Sequence, residues 1–208
     1  MFYRKIVFAI FIIIPTISSP ASFGAELGKL TPEKAEEFIN QIGREFISIL
    51  QASEEKNSSR ELKLRALLEN TFDFSTISRV VVGRTWKKIK EEKRIEYRKL
   101  FQESFLHKYS TKLAGYRKLS FTVIDTKTAG KRDMLVTTVI ARPEAKDVKV
   151  GWRVRRHEET LMVLDIVVED LSMLTTQRSV YSSVIRNHGL DGLMSRLRSQ
   201  YAHFKSLN

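Results

Sequence analysis

The 208-residue sequence contains no cysteine and only four histidines. Without thiols, disulfide scaffolds, thiolate metal sites and cysteine nucleophiles are all excluded. The histidines share no ligand spacing, and Leu161 stands where the second histidine of a metalloprotease motif beginning at His157-Glu158 would have to be. We therefore expect neither a metal nor a cofactor.

Glycine is also scarce, with nine residues, and the usual phosphate-binding and acyl-transfer motifs are absent. Both Gly-Lys pairs lack the glycine five positions earlier that a P-loop requires, and no G-x-S-x-G nucleophile motif occurs. Asp165 and Glu169, in the last predicted strand, remain as candidates for a general acid and base. Such acids more often form ion pairs, here with neighbours such as Arg153 and Arg155, so no catalytic residue is assigned.

The one long apolar run is too short to span a bilayer as a helix, which takes about 20 residues. It covers residues 6–14, follows Arg4 and Lys5, and precedes a stretch of small residues that ends at Ala25. This layout is typical of a secretory signal peptide. We predict a signal over residues 1–25, with cleavage after Ala21, Gly24 or, less favourably, Ala25, and a mature domain over residues 26–208. An uncleaved anchor is the alternative.

Lysine and arginine total 36 against 24 acidic residues, a net charge of +12, or +10 without the two cations of the signal. This excess favours an anionic partner. Arg84, Lys87, Lys88 and Lys90 cluster after Gly83 and are the candidates for docking to a membrane or a partner. A secreted chain rarely meets nucleic acid, so none is expected. The alternative is a solvated helix face whose cations pair with acidic residues between 91 and 96.

Apolar residues recur at three- and four-residue steps in several segments, which predicts helices. Thr31 and Pro32 are typical of an N-cap and a first helical residue. The predicted helices run from 32 to about 51, from about 60, from 72 to a stop at Gly83, from 91 to 116, to a stop at Gly189, and from 191 onward. The helix at 91–116 carries a broad aromatic stripe.

After residue 116 the apolar period changes from 3.6 to 2, which predicts strands. The predicted strands are 121–125, 134–142, 148–156 and 160–170. In the third, valines and Trp152 alternate with Lys149, Arg153 and Arg155, as in an antiparallel sheet with one buried face. Helices, then strands, then helices is an α+β order.

Three ordered motifs resemble those of the MlaC family, also called the toluene-tolerance family. The first runs from Phe72-Asp73-Phe74 to Trp86, the second from Leu164 to Met173, and the third from Gly189 to Leu197. The resemblance as a whole covers nearly the whole predicted mature chain. Two positions depart from the family pattern. Asp170 occupies a position where glycine is common, and Lys90-Glu91 replaces a helix-starting Thr-Pro.

The resemblance implies an NTF2-like α+β fold, in which a curved antiparallel sheet and the N- and C-terminal helices enclose an apolar lipid cavity. It implies a periplasmic carrier without catalytic residues or a cofactor. Such a carrier shuttles phospholipid between an outer-membrane lipoprotein complex of the MlaA type and an inner-membrane ABC transporter complex with a MlaD-type substrate-binding ring, maintaining outer-membrane lipid asymmetry. The alternatives are a carrier of hopanoid or sterol-like lipid and, less favoured, an NTF2-like enzyme using Asp165 or Glu169.

Given the resemblance, the cavity walls are expected to be the aromatic stripe of the long helix and the apolar face of the sheet. Ordinary core packing is the alternative for any one of these side chains. The predicted lipid-binding residues are Leu100, Phe101, Phe105, Tyr109, Leu113, Tyr116, Val136, Thr138, Ile140, Trp152, Val154, Leu164, Ile166 and Val168.

Overall fold

The computed structural model describes residues 29–52, 56–116, 118–143 and 145–206, and the predicted signal peptide lies outside them. The described residues form helices around an antiparallel sheet, and none of these helices is long and apolar enough to cross a membrane. The elements are α1 (Pro32–Gln51), α2 (Asn57–Thr71), α3 (Phe74–Val82), a 3₁₀ helix (Gly83–Lys88), α4 (Glu91–Ala114), β1 (Ser120–Ala129), β2 (Asp133–Arg142), β3 (Ala145–His157), β4 (Thr160–Val168), β5 (Leu171–Ser172) and α5 (Met173–Ser206).

The helix ends follow from local side-chain chemistry. The Thr31 hydroxyl accepts a hydrogen bond from the Lys34 amide, and Pro32 is the first residue of α1, as predicted. Helix α2 begins at Asn57 rather than near Arg60, because the polar residues 57–59 directly before Arg60 are already helical. Gly189 (φ +67°) interrupts α5, in agreement with the two helices predicted there.

The departure from the family pattern at the start of α4 is visible in its capping. Helix α4 begins at Glu91 after Lys90, whose side chain makes no capping hydrogen bond. Its first turn instead contains Glu91 and Glu92, which favour the positive end of the helix dipole. The substitution therefore changes how the helix start is stabilised and leaves the start where the sequence predicted it.

The sheet has the order β1-β2-β3-β4-β5, with every neighbouring pair antiparallel. Strand β1 extends to Ala129, four residues beyond the prediction. A register shift between Val123 and Asp125 leaves Ile124 as the extra residue, which breaks the alternation on which the prediction depended.

The last predicted strand, 160–170, is two strands joined by a tight turn. Strand β4 ends at Val168, and the short strand β5 begins at Leu171. Between them, Glu169 (φ +46°) and Asp170 (φ +65°) both occupy the left-handed region, as in a type I′ hairpin turn. Asp170 therefore stands in a conformation that glycine would adopt without strain, which accounts for the glycine common there in the family pattern.

One face of the sheet packs against the helices and is called the inner face. Its valines 136, 154 and 163 are fully buried in the main core, a cluster that also contains side chains from α1, α3, α4 and α5. The Phe72-Asp73 segment lies along the free edge of β4, where the Asp73 amide donates to the Val163 carbonyl at 3.1 Å. This arrangement confirms the predicted α+β, NTF2-like fold class.

The opposite, outer face contains an ion-pair cluster, and the predicted partners of its two arginines were wrong. Arg153 and Arg155 both bind Asp133, each with Nε to a carboxylate oxygen at 2.6 Å, rather than Asp165 or Glu169. Asp133 precedes the predicted second strand, and only the cross-strand register places it opposite Arg155. Burial alone would raise the pKa of Asp133, but hydrogen bonds from Arg155 and Arg153 outweigh it and hold that pKa below its usual value.

Candidate functional site

Helix α1 lies directly against the inner face of the sheet at β1. The contact is close because Gly43 has no side chain: a Cβ at this position would come within 2.5 Å of the Phe121 ring. The Phe121 ring in turn faces Trp152 of β3, with the ring centroids 6.2 Å apart. Gly43, Phe121 and Trp152 therefore define a seam between α1 and the sheet.

A single polar pair lies among the apolar side chains at this seam. The Trp152 indole N–H donates to the Thr138 hydroxyl at 2.9 Å, and that hydroxyl donates to the Val150 carbonyl at 3.1 Å. Because the polar group of the indole is satisfied within the sheet, the half-buried Trp152 ring presents only apolar surface to the seam.

A second aromatic group joins α4 to the Phe72-Asp73-Phe74 segment. The Phe105 ring lies 5.4 Å from Phe72, 5.2 Å from Phe74 and 4.5 Å from Tyr109. Burial raises the pKa of the Tyr109 hydroxyl, so this residue stays neutral near neutral pH and adds no charge to the apolar surroundings.

The fourteen predicted lipid-binding residues divide into six that are buried and eight that are half-buried. Seven belong to the main core or pack against it: Leu100, Phe101, Phe105, Val136, Trp152, Val154 and Ile166. Three pack against a second, smaller cluster formed by α1, α2 and the end of α4: Leu113, Tyr116 and Ile140. The remaining four belong to neither cluster: Tyr109 contacts Phe105, Thr138 binds Trp152, Leu164 is buried at an irregularity of β4, and Val168 ends that strand.

Two helices omitted from the predicted site contribute to the same layer. Phe38 and Ile42 of α1, and Val184 and Ile185 of α5, are half-buried and pack against the main core. The signal for α1 was present in its apolar periodicity. That the helix lies over β1 follows only from the close approach at Gly43.

Two open pockets lie at the surface of the described residues, and neither is lined by the predicted lipid-binding set. One, of about 330 Å³, lies between the start of α3 and α4 and is lined by Phe74, Ser75, Arg98, Lys99, Gln102 and Glu103. The other, of about 280 Å³, lies between α1 and the β3–β4 hairpin and is lined by Lys29, Leu30, Lys34, Glu37, Phe38, Gln41, Arg156, Glu159 and Leu161.

The two acids considered for catalysis have structural partners. One oxygen of Asp165 accepts from the Ser172 hydroxyl at 2.6 Å and the other from the Leu174 amide at 2.8 Å, so Asp165 caps the start of α5. Glu169 lies exposed in the β4–β5 turn and accepts from the Lys149 amide. Within the described ranges, no group of three or more acidic or histidine side chains is placed to hold a metal.

The candidate docking cations lie along the 3₁₀ helix and the start of α4. Arg84, Lys87, Lys88 and Lys90 are all exposed, and none forms an ion pair with another described residue. Trp86 anchors this segment, because its ring packs on Tyr97 at 6.4 Å and lies 5.1 Å beneath the Arg94 guanidinium. The segment is thus a positively charged edge that Trp86 joins to α4.

Comparisons with known proteins agree with this architecture. A family model described as MlaC protein matches residues 40–199. The structure of a phospholipid-binding protein from Ralstonia solanacearum in complex with a phospholipid is similar to this chain, with a TM-score of 0.72 and 18% sequence identity. The match covers 82% of this chain and 98% of that chain. At this level of identity the likeness shows a shared fold.

Proposed function

This chain belongs to the MlaC family, and on that premise we propose that it is a carrier that binds a phospholipid by its acyl chains and moves it through water without altering a covalent bond. The seam between α1 and the inner face of the sheet is the proposed place of the tails. The supporting observation is that half-buried apolar side chains from α1, β1, β3, α4 and α5 converge on one core.

The physical requirement on such a carrier is nearly complete burial of the tails. Two acyl chains contain roughly 30 methylenes, and each buried methylene contributes about 0.8 kcal/mol, so exposure would cost on the order of 20 kcal/mol. The Trp152 ring packs near Phe121, and the Phe105 ring packs near Phe72 and Phe74, so loading would require such rings to move aside. Half-buried positions suit this role, because fewer neighbours hold them in place.

The proposed lipid-contacting residues are the fourteen named from the sequence, extended by Phe38 and Ile42 of α1. The ten half-buried members of this set, eight of the fourteen and both added residues, are the better candidates for direct contact with the tails. The six buried members, such as Val136 and Val154, support them from the core.

We place the carrier in the periplasm, reached through the predicted signal at residues 1–25. There it would exchange lipid with a MlaA-type outer-membrane complex and a MlaD-type ring of an inner-membrane ABC transporter, in support of outer-membrane lipid asymmetry. Arg84, Lys87, Lys88 and Lys90 are the proposed docking residues, because they are exposed, lie beside the anchoring residue Trp86 and form no ion pair with a described residue. The hydrogen bonds of Asp165 support a role in capping α5, and we propose no catalytic role for it.

Native mass spectrometry of the protein purified from cells tests this function. We expect one glycerophospholipid per chain. Delipidated protein should regain that mass after incubation with phospholipid vesicles. A hopanoid mass in the same spectrum would identify the alternative cargo, and protein that neither retains nor takes up lipid would contradict a carrier function.

A further inference from the structure

The inner face of β3 changes from apolar to cationic at its end. Val150, Trp152 and Val154 share the inner face by strand alternation, and the next position on that face is Arg156. Leu161 of β4 lies opposite Arg156 in the register. Along this row, apolar side chains are followed by a positive charge. A phospholipid has a matching sequence of groups, with hydrocarbon tails followed by a charged head group.

Arg156 has hydrogen-bonding capacity left for a ligand. Its Nε donates to the Glu158 carbonyl at 2.9 Å and its Nη2 to Glu159 at 2.8 Å. Its Nη1 makes no hydrogen bond with any described residue. Glu159 is almost fully exposed, with 92% of its side chain accessible, so this ion pair contributes little and leaves the guanidinium available.

Across the 280 Å³ pocket, α1 and the residues before it supply two further cations, Lys29 and Lys34. Both are exposed, and neither forms an ion pair with a described residue. The floor is apolar: Leu30, Phe38 and Leu161 pack against the main core. Three cations therefore line an opening whose apolar floor packs against the same core as the proposed tail site.

The size and charges of the pocket indicate which part of a lipid it fits. Its volume is just below the usual range for small-molecule sites, roughly 300 to 1,000 Å³, and suits a head group rather than two acyl chains. Arg156 and Lys34 can both donate hydrogen bonds to the oxygens of a phosphodiester. Such charge-assisted hydrogen bonds are stronger than those between neutral groups. Glu37 and Glu159 on the same rim could accept from the ammonium of a zwitterionic head group.

We propose that this pocket binds the phosphodiester of the lipid head group, with Arg156 and Lys34 as its ligands. The inference rests on the proposed carrier function and adds to it. The chain would recognise the phosphate directly, and so would distinguish a phospholipid from a lipid that has the same tails and no phosphate.

The test compares loading of delipidated protein from vesicles that contain either phosphatidylglycerol or diacylglycerol with identical acyl chains. We expect the native chain to prefer phosphatidylglycerol. Arg156→Gln and Lys34→Gln should each reduce that preference by about tenfold, the usual contribution of one charge-assisted hydrogen bond, while diacylglycerol loading stays unchanged. Lys131→Gln, an exposed cation in the β1–β2 turn, is the matched control and should keep the preference.

The outcomes separate the two proposals. A native chain that loads neither lipid contradicts the carrier function. A native chain that loads both equally, or variants that keep the full preference, overturn the head-group site alone. Because Lys34 is exposed, its variant tests the site even if Arg156→Gln fails to fold. Inorganic phosphate alone should not raise the thermal stability of the lipid-free protein, and saturable stabilisation would reassign the pocket to a free anion.

Discussion

Replacing Gly43 with alanine tests how closely α1 is seated on the sheet. In an exposed helix this change would stabilise the protein by about 1 kcal/mol, because alanine has the higher helix propensity. Here the new Cβ would lie 2.5, 2.6 and 2.9 Å from three atoms of the Phe121 ring. Normal carbon contacts are about 3.5 to 4.0 Å, so the ring or the helix must shift by about 1 Å, and overpacking of this kind costs about 1 to 3 kcal/mol.

We therefore expect Gly43→Ala to lower the free energy of unfolding by up to about 2 kcal/mol, measured by urea denaturation. The decisive comparison is a double-mutant cycle with Phe121→Ala. In that background the clash is gone, and Gly43→Ala should become stabilising by about 1 kcal/mol. If Gly43→Ala stabilised the protein in both backgrounds, α1 would not lie against β1 as described, and the proposed seam would be refuted.

Three further changes address other features. Asp170→Gly should stabilise the protein by about 0.5 to 1 kcal/mol in thermal unfolding and Asp170→Ala should not, because the residue has φ +65°; equal effects would contradict the turn. Thr138→Val should cost about 1 to 3 kcal/mol by leaving the Trp152 N–H unpaired, whereas Thr122→Val on exposed β1 serves as the control. Since the pKa of Asp133 is lowered, its contribution to stability is present above its unfolded value near 3.8 and is lost as pH falls through the folded value. Asp133→Asn should therefore be less stable at neutral pH and lose less stability below about pH 4, and an unchanged pH profile would contradict this.

The sequence predicted the elements well where one periodicity dominated. Helix α1, with its Thr31 cap, and the alternation of β3 needed only local rules. The errors arose where tertiary geometry overrides local pattern. The extra residue Ile124 breaks the alternation of β1, so the second half of that strand was not predicted. The tight turn at Glu169 and Asp170 was not recognised either, so β4 and β5 were predicted as one strand. Pairing of arginines with acids likewise depends on cross-strand register, which no single strand reveals.

Two acids of the family motifs have structural roles, although the second motif also contains the predicted lipid-binding residues Leu164, Ile166 and Val168. Asp73 caps α3 through the Thr76 amide at 2.8 Å and continues the edge of β4, and Asp165 caps α5. These motif residues hold the architecture. The seam and the cationic pocket are lined by residues such as Phe38, Trp152 and Arg156, which no motif identified.

The central claim is that hydrocarbon enters between α1 and the inner face of the sheet. Photo-crosslinking with a phospholipid that carries a diazirine on one acyl chain, followed by peptide mass spectrometry, measures this directly. The predicted adducts lie on half-buried seam residues such as Phe121, Trp152 and Ile42. Adducts confined to the outer face around Arg153, or no adduct at all on protein that has been shown to be folded, would contradict the account.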